Sequence, residues 1–382
     1  MEATLRYVAP CQFGLEGILA GELRRLDAQD VLAENGRVLF SGGLEILARA
    51  NLCLRTAERV QILLGEFTAT SFEELYQGMK AIPLEEFIGK ADRFPVKGYS
   101  LNSALHSVPD CQSILKKAAV DRLKQHYRID WFPEKNALCQ LQFSILKDRV
   151  SILLDTSGPG LHKRGWRAHS NAAPIKETLA AGIVDCARVK GYSVACDPFC
   201  GSGTLIIEAA SKALNIPPCL RRRFAAQEFG FMPENIWQLE RTRGLDLIRR
   251  DAEFHGYAWD LDPECVELTR ANAKKAGLGK RITVEQRDIK DFAPLPKGIT
   301  LCNPPYGERM LDQQQARAIY RTMGKVFTRT QGESYYIITP DPEFPRCFGQ
   351  TPDKQRKLYN GMLKCYLYQY FKPVPERSHG HE

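Results

Sequence analysis

Polar side chains follow short apolar runs at four places in the C-terminal half of the chain. They are Asp197, Asp260, Asp288 and Asn303. The strands of a parallel sheet end at one edge, and ligands bind in the crevice outside those ends. Carboxylate and amide oxygens there can accept hydrogen bonds from the hydroxyl and amino groups of a nucleotide-like ligand. The four positions predict such a site at the carboxyl edge of a parallel sheet.

The first position opens a glycine-containing turn, DPFCGSGT, at residues 197–204. Gly201 and Gly203 would let the backbone approach a ligand closely. Ser202 or Thr204 is expected to cap the following helix, whose first N–H groups would then point at the ligand. No lysine follows the glycines as in a P-loop, and only part of the G-x-G-x-x-G fingerprint is present. An acidic residue at the start of the turn favours a cationic or zwitterionic ligand. A tight structural turn is the alternative interpretation.

The second motif is Asn303-Pro304-Pro305-Tyr306-Gly307, which follows a short apolar strand end. Two prolines fix φ and remove two backbone donors, so the turn is stiff. The residue before each proline is pushed towards extended geometry. We therefore expect the Asn303 amide and the Pro304 carbonyl to lie at the sheet edge, with Tyr306 beside them.

Composition is that of an ordinary globular chain of 382 residues, 44% hydrophobic and 26% charged, with a net charge of +8. Its length predicts two or three domains. We expect no transmembrane helix, because no run of eighteen apolar residues exists, and no signal peptide, because the first residues lack a basic start and an apolar core. The twelve cysteines contain no C-x-x-C pair. Free thiols in a reducing cytoplasm explain them, and no metal is expected.

Positive charge is concentrated in the half of the chain that carries the two motifs. Residues 1–157 contain 19 lysines and arginines against 20 acidic residues, and residues 158–382 contain 34 against 25. A polyanion bound near the active site would explain this excess, and solvated surface charge is the alternative. Residues 212–250 exceed one turn of a doubly wound sheet and are rich in arginine, which predicts a basic insertion beside the active site.

The first half of the chain alternates strands and helices. Residues 1–65 suit a small α+β module of ferredoxin-like type. Residues 66–157 form a second module, in which an amphipathic helix over 107–127 precedes two paired strands. Residues 158–382 then form the third domain, an α/β domain that contains both motifs.

The motifs resemble those of a known enzyme family. DPFCGSGT resembles the S-adenosylmethionine motif of class I methyltransferases, and NPPY is similar to the acceptor motif of enzymes that methylate exocyclic amines. The module at 66–157 resembles the THUMP domain, an RNA-binding module. The whole chain resembles THUMP-containing class I RNA guanine-N2 methyltransferases. This resemblance implies a Rossmann-like, mostly parallel sheet with one antiparallel hairpin, preceded by ferredoxin-like and THUMP-like modules.

The resemblance also implies roles for individual residues. Asn303 and the Pro304 carbonyl would accept the two amine N–H bonds of guanine, and Tyr306 would stack on the flipped base. The residues expected to bind S-adenosylmethionine are Lys176, Glu177, Thr178, Asp197, Phe199, Gly201, Gly203, Thr204, Asp260, Asp288, Ile289 and Asn303. The residues expected to contact RNA are Lys116, Lys117, Lys163, Arg164, Trp166, Arg167 and Arg309. For Asp288 a helix cap is the alternative role.

Several substrates are compatible with these motifs. We favour 23S rRNA over tRNA because the strings LHKRGWR and RKLYNG are closer to the ribosomal branch of the family. DNA adenine-N6 methylation is an alternative, since NPPY also serves adenine. A catalytically silent RNA-binding factor of ribosome assembly is another. We expect a monomer that does not bind membranes.

Overall fold

The computed structural model describes residues 4–167, 175–306, 313–329 and 332–372. The chain divides into two compact units, each assembled from separate pieces of sequence. The first combines Met1–Cys11, Leu19–Leu161 and Cys219–Gly244, and the second combines Gln12–Ile18, His162–Pro218 and Leu245–Glu382. The three predicted domains, with limits at residues 65 and 157, are each one continuous stretch of sequence. The two compact units, in contrast, are each built from several separate stretches.

The first six elements have the β-α-β-β-α-β order of a ferredoxin-like module. They are β1 (Leu5–Pro10), α1 (Glu16–Arg25), β2 (Gln29–Glu34), β3 (Arg37–Gly42), α2 (Leu44–Cys53) and β4 (Gln61–Thr68). β1 pairs antiparallel with both β3 and β4, and β2 pairs with β3. The predicted module is confirmed. Sequence pattern missed β2, since this edge strand, QDVLAE, is exposed along most of its length and lacks apolar alternation.

The next elements are α3 (Phe72–Ala81), β5 (Val96–Leu101), α4 (Val108–Tyr127), β6 (Leu141–Leu146) and β7 (Arg149–Asp155). A capping box between Ser71 and Glu74 sets the start of α3. β7 pairs antiparallel with β4, which joins both modules into one seven-stranded sheet among the described residues. The helices cover one face of this sheet, and one continuous hydrophobic core lies beneath them.

The remaining elements are α5 (Glu177–Cys186), β8 (Val194–Asp197), α6 (Thr204–Ala213), α7 (Ile236–Asp246), β9 (His255–Asp260), α8 (Pro263–Lys275), β10 (Ile282–Gln286), β11 (Ile299–Cys302), α9 (Gln313–Val326), β12 (Ser334–Thr339), α10 (Phe344–Phe348), β13 (Lys354–Asn360) and β14 (Leu363–Tyr370). The strand order of the second sheet is β10-β9-β8-β11-β12-β14-β13. β8 to β12 run parallel, and β14 and β13 form an antiparallel hairpin at one end. The predicted Rossmann-like sheet is therefore confirmed.

Helices cover both faces of this second sheet. Successive residues of a strand point to opposite faces, so neighbouring residues of one strand contact different helices. On β8, Ala195 joins the apolar cluster that contains α5 and α6, whereas Cys196 joins the cluster that contains α9. The strands are therefore apolar on both sides, as parallel strands buried between helical layers must be. None of the described helices is long and apolar enough to cross a membrane.

The segment Cys219–Gly244 lies inside the predicted basic insertion at 212–250 and belongs to the first compact unit. The predicted position of the insertion beside the active site stays a prediction. Trp237 is buried and stacks on Phe224 with ring centroids 5.0 Å apart. Arg222 donates to the Gly160 carbonyl at 2.8 Å. The Arg241 guanidinium donates to the Arg222 carbonyl at 2.6 Å. Basic residues of this segment thus satisfy backbone carbonyls inside the unit.

Candidate active site

Four parallel strands end where the sequence placed its polar residues. β8 lies between β9 and β11, with Asp197 level with Ala258 and Cys196 level with Thr300. Asp197 and Asp260 are the last residues of their strands, and Asn303 directly follows β11. The order of the strands reverses between β8 and β11, which is the switch point where open α/β sheets bind ligands.

The glycine turn after β8 adopts a conformation that side chains tolerate poorly. Gly201 and Gly203 have φ values of +53° and +80°. A Cβ on Gly203 would lie 2.9 Å from Cγ2 of Thr269 on α8. Gly203 itself is the N-cap of α6, and no side chain among the described residues caps this terminus. The predicted cap by Ser202 or Thr204 was therefore wrong, and the first N–H groups of α6 keep their capacity to donate.

Two buried polar side chains of α8 hold this turn in place. Thr269 Oγ1 donates to the Gly201 carbonyl at 2.9 Å, and Asn272 Nδ2 donates to the Ser202 carbonyl at 2.9 Å. Sequence reasoning missed both residues. The signal in the sequence was that Thr269 and Asn272 lie three positions apart in a predicted helix, which places two polar side chains on the same side of it.

Asp260 connects the ends of β8 and β9. Its Oδ2 accepts from the Gly201 N–H at 2.9 Å, and its Oδ1 accepts from the Asp262 N–H at 3.1 Å. Burial raises the pKa of Asp260, and these N–H groups act in the opposite direction. Each oxygen keeps a further lone pair for a ligand hydroxyl. Asp262, in contrast, caps α8 by accepting from the Glu264 N–H at 2.9 Å.

Asp197 is buried more deeply than expected. Its side chain is among the buried polar groups, with a residue exposure of 1%, and Oδ1 accepts from the Phe199 N–H at 3.2 Å. Burial raises the pKa of Asp197 well above its usual range, and the Asp260 carboxylate acts in the same direction. The hydrogen bond from Phe199 shows that the carboxyl helps to shape the turn. Its contact with the charged end of the ligand stays a prediction.

Asp288 follows β10 and caps the short 3-10 helix Ile289–Asp291. Its Oδ1 accepts from the Lys290 N–H at 3.0 Å. The cap that was the alternative role is therefore present, and the half-buried carboxylate also lies at the ligand edge of the sheet. Ile289 is half-buried and packs against the cluster of α9. Contact of either residue with adenine stays a prediction.

The acceptor turn after β11 is held by a residue that the sequence did not single out. Asn303 and Tyr306 are half-buried and Pro304 is buried, whereas Gly307 lies outside the described residues. The Tyr320 hydroxyl, on α9, donates to the Pro305 carbonyl at 3.2 Å. It also lies 3.1 Å from the Thr339 hydroxyl at the end of β12. Burial raises the pKa of Tyr320 to about 12, so it stays a neutral donor.

Three known domain families match the chain. The RlmL ferredoxin-like domain matches residues 6–61, and the THUMP domain matches residues 69–155. The RMKL-like methyltransferase domain matches residues 164–369, which is more than half of the chain. This chain belongs to the RMKL-like methyltransferases. The predictions of a THUMP-containing class I methyltransferase, and of S-adenosylmethionine as its cofactor, are confirmed.

Individual relatives agree with this family. The chain is 39% identical over 375 residues to the "Putative RNA methyltransferase YpsC" of Bacillus subtilis, covering 97% of each chain. It is 33% identical to the "Ribosomal RNA large subunit methyltransferase K/L" of Psychromonas ingrahamii, covering 96% of this chain but 50% of that one. The chain thus spans about half the length of its K/L relatives.

Solved structures of similar chains share the fold. One is a "predicted N6-adenine-specific DNA methylase from Listeria monocytogenes", with 42% identity, 97% coverage of each chain and a TM-score of 0.92. Another is "SMU.472, a putative methyltransferase complexed with SAH", with 38% identity, coverage of 98% of this chain and 100% of that one, and a TM-score of 0.92.

In this RMKL-like methyltransferase, three of the predicted cofactor residues point their side chains inwards. Glu177, Thr178 and Thr204 are all buried. The Arg167 guanidinium bonds Glu177 Oε1 at 2.9 Å through Nε and Thr204 Oγ1 at 2.9 Å through Nη2. Burial raises the pKa of Glu177, and Arg167 acts in the opposite direction. Contact of these three residues with the cofactor stays a prediction. Lys176 is half-buried at the N-cap of α5.

The linker residues predicted to contact RNA are mostly buried. The Arg164 side chain is 1% exposed and donates to Glu208 Oε1 at 3.1 Å. Trp166 is buried, and Arg167 stacks over its ring at 5.5 Å. Arg164 and Arg167 thus bond the linker to α5 and α6. Contact of Arg164, Trp166 and Arg167 with RNA stays a prediction. Lys163 is exposed. Arg309 lies outside the described residues.

The lysines predicted on α4 differ from each other. Lys116 Nζ donates to the Phe94 carbonyl at 3.0 Å and lies 3.5 Å from the centroid of the Phe94 ring. Burial lowers the pKa of Lys116. Lys117 is exposed, and its Nζ lies 5.9 Å from the Tyr76 ring. Lys116 therefore has a packing role, and phosphate contact by Lys117 stays a prediction.

Cys200 lies in the glycine turn but is unsuited to act as a nucleophile. Its thiol is buried, and burial together with Asp197 raises its pKa well above the usual range. A thiolate is the nucleophilic form of cysteine. Its burial among the residues of the turn gives Cys200 a packing role.

Proposed function

We propose that this chain transfers a methyl group from S-adenosylmethionine to the exocyclic N2 amine of a guanine in RNA. The observation that carries the proposal is the position of the Asn303–Tyr306 turn. It follows β11, the strand next to β8 across the switch point, so it adjoins the glycine turn that follows β8. A cofactor on one turn and a base on the other would meet at this edge.

The residues at the glycine turn fit the cofactor. Asp260 has acceptor capacity for both ribose hydroxyls, and the close approach of Gly203 to Thr269 leaves no room for a side chain there. The uncapped N–H groups of α6 are donors for the methionine carboxylate. Arg167 Nη1 is a further candidate, since it is buried and bonds no acceptor among the described residues. When bound, S-adenosylmethionine supplies a methyl group already activated by a cationic sulfonium.

The residues at the acceptor turn would position the guanine amine. Its lone pair is delocalised into the ring, which makes the amine a poor nucleophile. The Asn303 amide oxygen and the Pro304 carbonyl would accept its two N–H bonds and localise the lone pair. Tyr306 would stack on the flipped base. Because no covalent nucleophile is needed, most of the rate acceleration would come from proximity and alignment.

We propose 23S rRNA as the substrate. The K/L relatives are named as methyltransferases of large-subunit ribosomal RNA, and the chain covers 50% to 54% of their length. Its match extends over 95% to 97% of its own residues, including the ferredoxin-like and THUMP modules. A methyl on N2 rather than on another guanine atom is implied by the acceptor motif. We expect the chain to act as a monomer.

DNA adenine-N6 methylation is the second candidate, and it is favoured by the similarity to the Listeria protein, which is named as an N6-adenine-specific DNA methylase. NPPY can present acceptors to the adenine amine as readily as to the guanine amine. The first unit favours RNA, because it contains a THUMP module and no recognised DNA-binding motif among the described residues.

The deciding experiment identifies both the nucleic acid and the atom. The purified full chain is incubated with isotope-labelled S-adenosylmethionine and, separately, with 23S rRNA, assembled large subunits, bulk tRNA and DNA. Nucleoside mass spectrometry then distinguishes N2-methylguanosine from N6-methyladenosine. We expect N2-methylguanosine in 23S rRNA or assembled subunits. Labelling of tRNA alone would move the assignment to the tRNA branch, and N6-methyl-2′-deoxyadenosine in DNA would establish the second candidate.

An Asn303→Ala variant separates chemistry from binding. We expect it to bind S-adenosylmethionine almost as tightly as the wild type in a calorimetric titration. Its single-turnover rate should fall by about two orders of magnitude or more, because alignment contributes most of the acceleration. A wild-type rate would show that Asn303 does not hold the amine. A wild-type chain that binds no S-adenosylmethionine would instead point to the catalytically silent assembly factor.

A further inference from the structure

In the part of the chain that the structure describes, one face of the first-unit sheet is exposed along its edge strand β5 and at the neighbouring ends of β6 and β7. Side chains on the other face, such as Val96, Phe143 and Ile152, are buried in the core with the helices. Because side chains alternate along a strand, the residues between them point to the opposite face. This opposite face ends at β5, which is the edge strand of the sheet.

Strand register places an aromatic ring and two leucines together on that face. Tyr99 is level with Ser144, and Leu101 is level with Leu146, which is in turn level with Arg149. Tyr99 is 52% exposed, Leu101 55% and Leu146 49%. Large apolar side chains exposed side by side on a pleated face indicate a contact surface rather than isolated surface residues.

Exposed cations border these apolar groups. Lys97 lies on β5 with Tyr99, and Lys147 lies in the turn before Arg149, whose side chain is 68% exposed. The two carboxylates of these three strands and of the β6–β7 turn have partners outside the patch: Asp148 accepts from the Ala104 N–H at 2.7 Å, and Asp155 is buried and paired with Arg59. The patch of Lys97, Tyr99, Leu101, Leu146, Lys147 and Arg149 is therefore cationic, although Glu66 lies 3.7 Å from Arg149. We call it the Tyr99 patch.

We propose that the Tyr99 patch binds a single-stranded segment of RNA, with a base stacked on Tyr99 and phosphates near Lys97, Lys147 and Arg149. The inference rests on the proposed RNA substrate and adds where and in what form the RNA is held. A flat aromatic ring beside cations matches a base beside phosphates, and stacking accepts any base. In a duplex the base faces are covered by their neighbours, so a paired segment would lose the contact with Tyr99.

The test measures the affinity of the full chain for two probes by fluorescence anisotropy. One probe is a fluorescein-labelled single-stranded RNA of mixed sequence, and the other is the same strand paired with its complement. We expect tighter binding of the single strand. Tyr99→Ala should weaken single-strand binding by about tenfold and duplex binding little, since stacking is the interaction removed. The double variant Lys97→Glu with Arg149→Glu should weaken both and reduce their dependence on salt.

Matched controls lie on the second unit. Tyr192→Ala removes a tyrosine that is even more exposed, and Lys280→Glu reverses an exposed lysine before β10, at the amino end of the sheet. Neither should change RNA affinity by more than about twofold, because single surface substitutions elsewhere remove no contact. Equal losses in the Tyr99 and Tyr192 variants, or equal loss of single strand and duplex in Tyr99→Ala, would overturn the proposal. So would unchanged binding in both patch variants. Absence of any RNA binding by the wild type would contradict the proposed function itself.

Discussion

Asp260 and Asp262 lie two residues apart, and the structure gives them different partners. Asp260 accepts from Gly201 in the glycine turn, whereas Asp262 caps α8. We propose Asp260 rather than Asp262 for the contact with the cofactor ribose, because only the Asp260 carboxylate bonds the glycine turn that would hold the cofactor.

We expect Asp260→Ala to weaken S-adenosylmethionine binding by about 1–3 kcal/mol, the cost of leaving polar partners unpaired. Calorimetric titration of the full chain measures this. Asp262→Ala is the matched control, and it should keep the affinity while lowering the free energy of unfolding by about 1 kcal/mol through loss of the cap. If Asp262→Ala weakened S-adenosylmethionine binding and Asp260→Ala did not, the ribose contact would belong to Asp262.

Tyr320 is a positioning residue for the acceptor turn. Tyr320→Phe removes the hydroxyl that holds the Pro305 carbonyl and leaves the buried ring in place. We expect a fall of about tenfold or more in the single-turnover rate with unchanged cofactor affinity, since small misalignments at a reacting centre are costly. Stability should fall by about 1 kcal/mol.

Tyr370→Phe separates this role from packing. Tyr370 is also fully buried and its hydroxyl donates to the Gln350 carbonyl at 3.3 Å, away from the acceptor turn. A similar loss of stability with a wild-type methylation rate is expected for this control. Similar rates for both tyrosine variants would mean that the Tyr320 hydroxyl only stabilises the fold.

At the scale of elements, α7 is attached to α2 by a buried ion pair. Arg49 Nε lies 2.8 Å from Glu240 Oε2, and Arg49 Nη2 donates to Glu240 Oε1 at 2.9 Å. The two side chains are 11% and 8% exposed. Removal of Glu240 leaves the Arg49 guanidinium largely buried, with only the exposed Asp27 carboxylate at 3.1 Å and the Leu26 carbonyl at 3.0 Å as partners among the described residues.

We expect Glu240→Ala to lower the free energy of unfolding by about 3–5 kcal/mol in a denaturant titration. Arg243→Ala is the comparison on the same helix. Arg243 lies 3.9 Å from Glu240, but its side chain is 37% exposed, so solvent screening should limit its effect to less than about 1 kcal/mol. Equal effects of the two substitutions would show that the Arg49 pair is not what holds α7.

At the scale of the whole molecule, each compact unit includes a short segment that is flanked in sequence by residues of the other unit. Gln12–Ile18 belongs to the catalytic unit, where Leu15 is fully buried and meets α5 at Gly182. Cys219–Gly244 belongs to the first unit, although the catalytic domain flanks it in sequence. A truncation that begins after residue 157 therefore removes the Gln12–Ile18 part of the catalytic unit. It also leaves the Cys219–Gly244 segment without the core of the first unit.

We expect a fragment of residues 158–382 to aggregate, or to bind S-adenosylmethionine more weakly than the full chain. It lacks Leu15, and it exposes Phe224, Phe229 and Trp237, which are buried in the full chain. Deletion of one large buried side chain typically costs about 2–5 kcal/mol. Size-exclusion chromatography and calorimetric titration against the full chain measure both effects. A monodisperse fragment with wild-type affinity would contradict the assignment of these segments.

The sequence by itself determined the strand ends and the turns of the catalytic sheet. Asp197, Asp260 and Asn303 were predicted to stand at strand ends, and the structure ends β8 at Asp197, β9 at Asp260 and β11 directly before Asn303. The DPFCGSGT and NPPY turns were placed correctly after their strands. These features are local: an apolar run, an acid at its end, and glycine or proline in the turn restrict the backbone without distant partners.

Tertiary structure alone decided what each charged residue does. Arg164 looked like an RNA contact until Glu208, 44 positions away, paired with it in the core. Arg222 and Arg241 looked like a basic surface and instead bind carbonyls of their own unit. Tyr320 and Tyr99 carry no motif at all. A charge or an aromatic ring in a sequence does not reveal its partner, because burial and pairing depend on which distant segments the fold brings together.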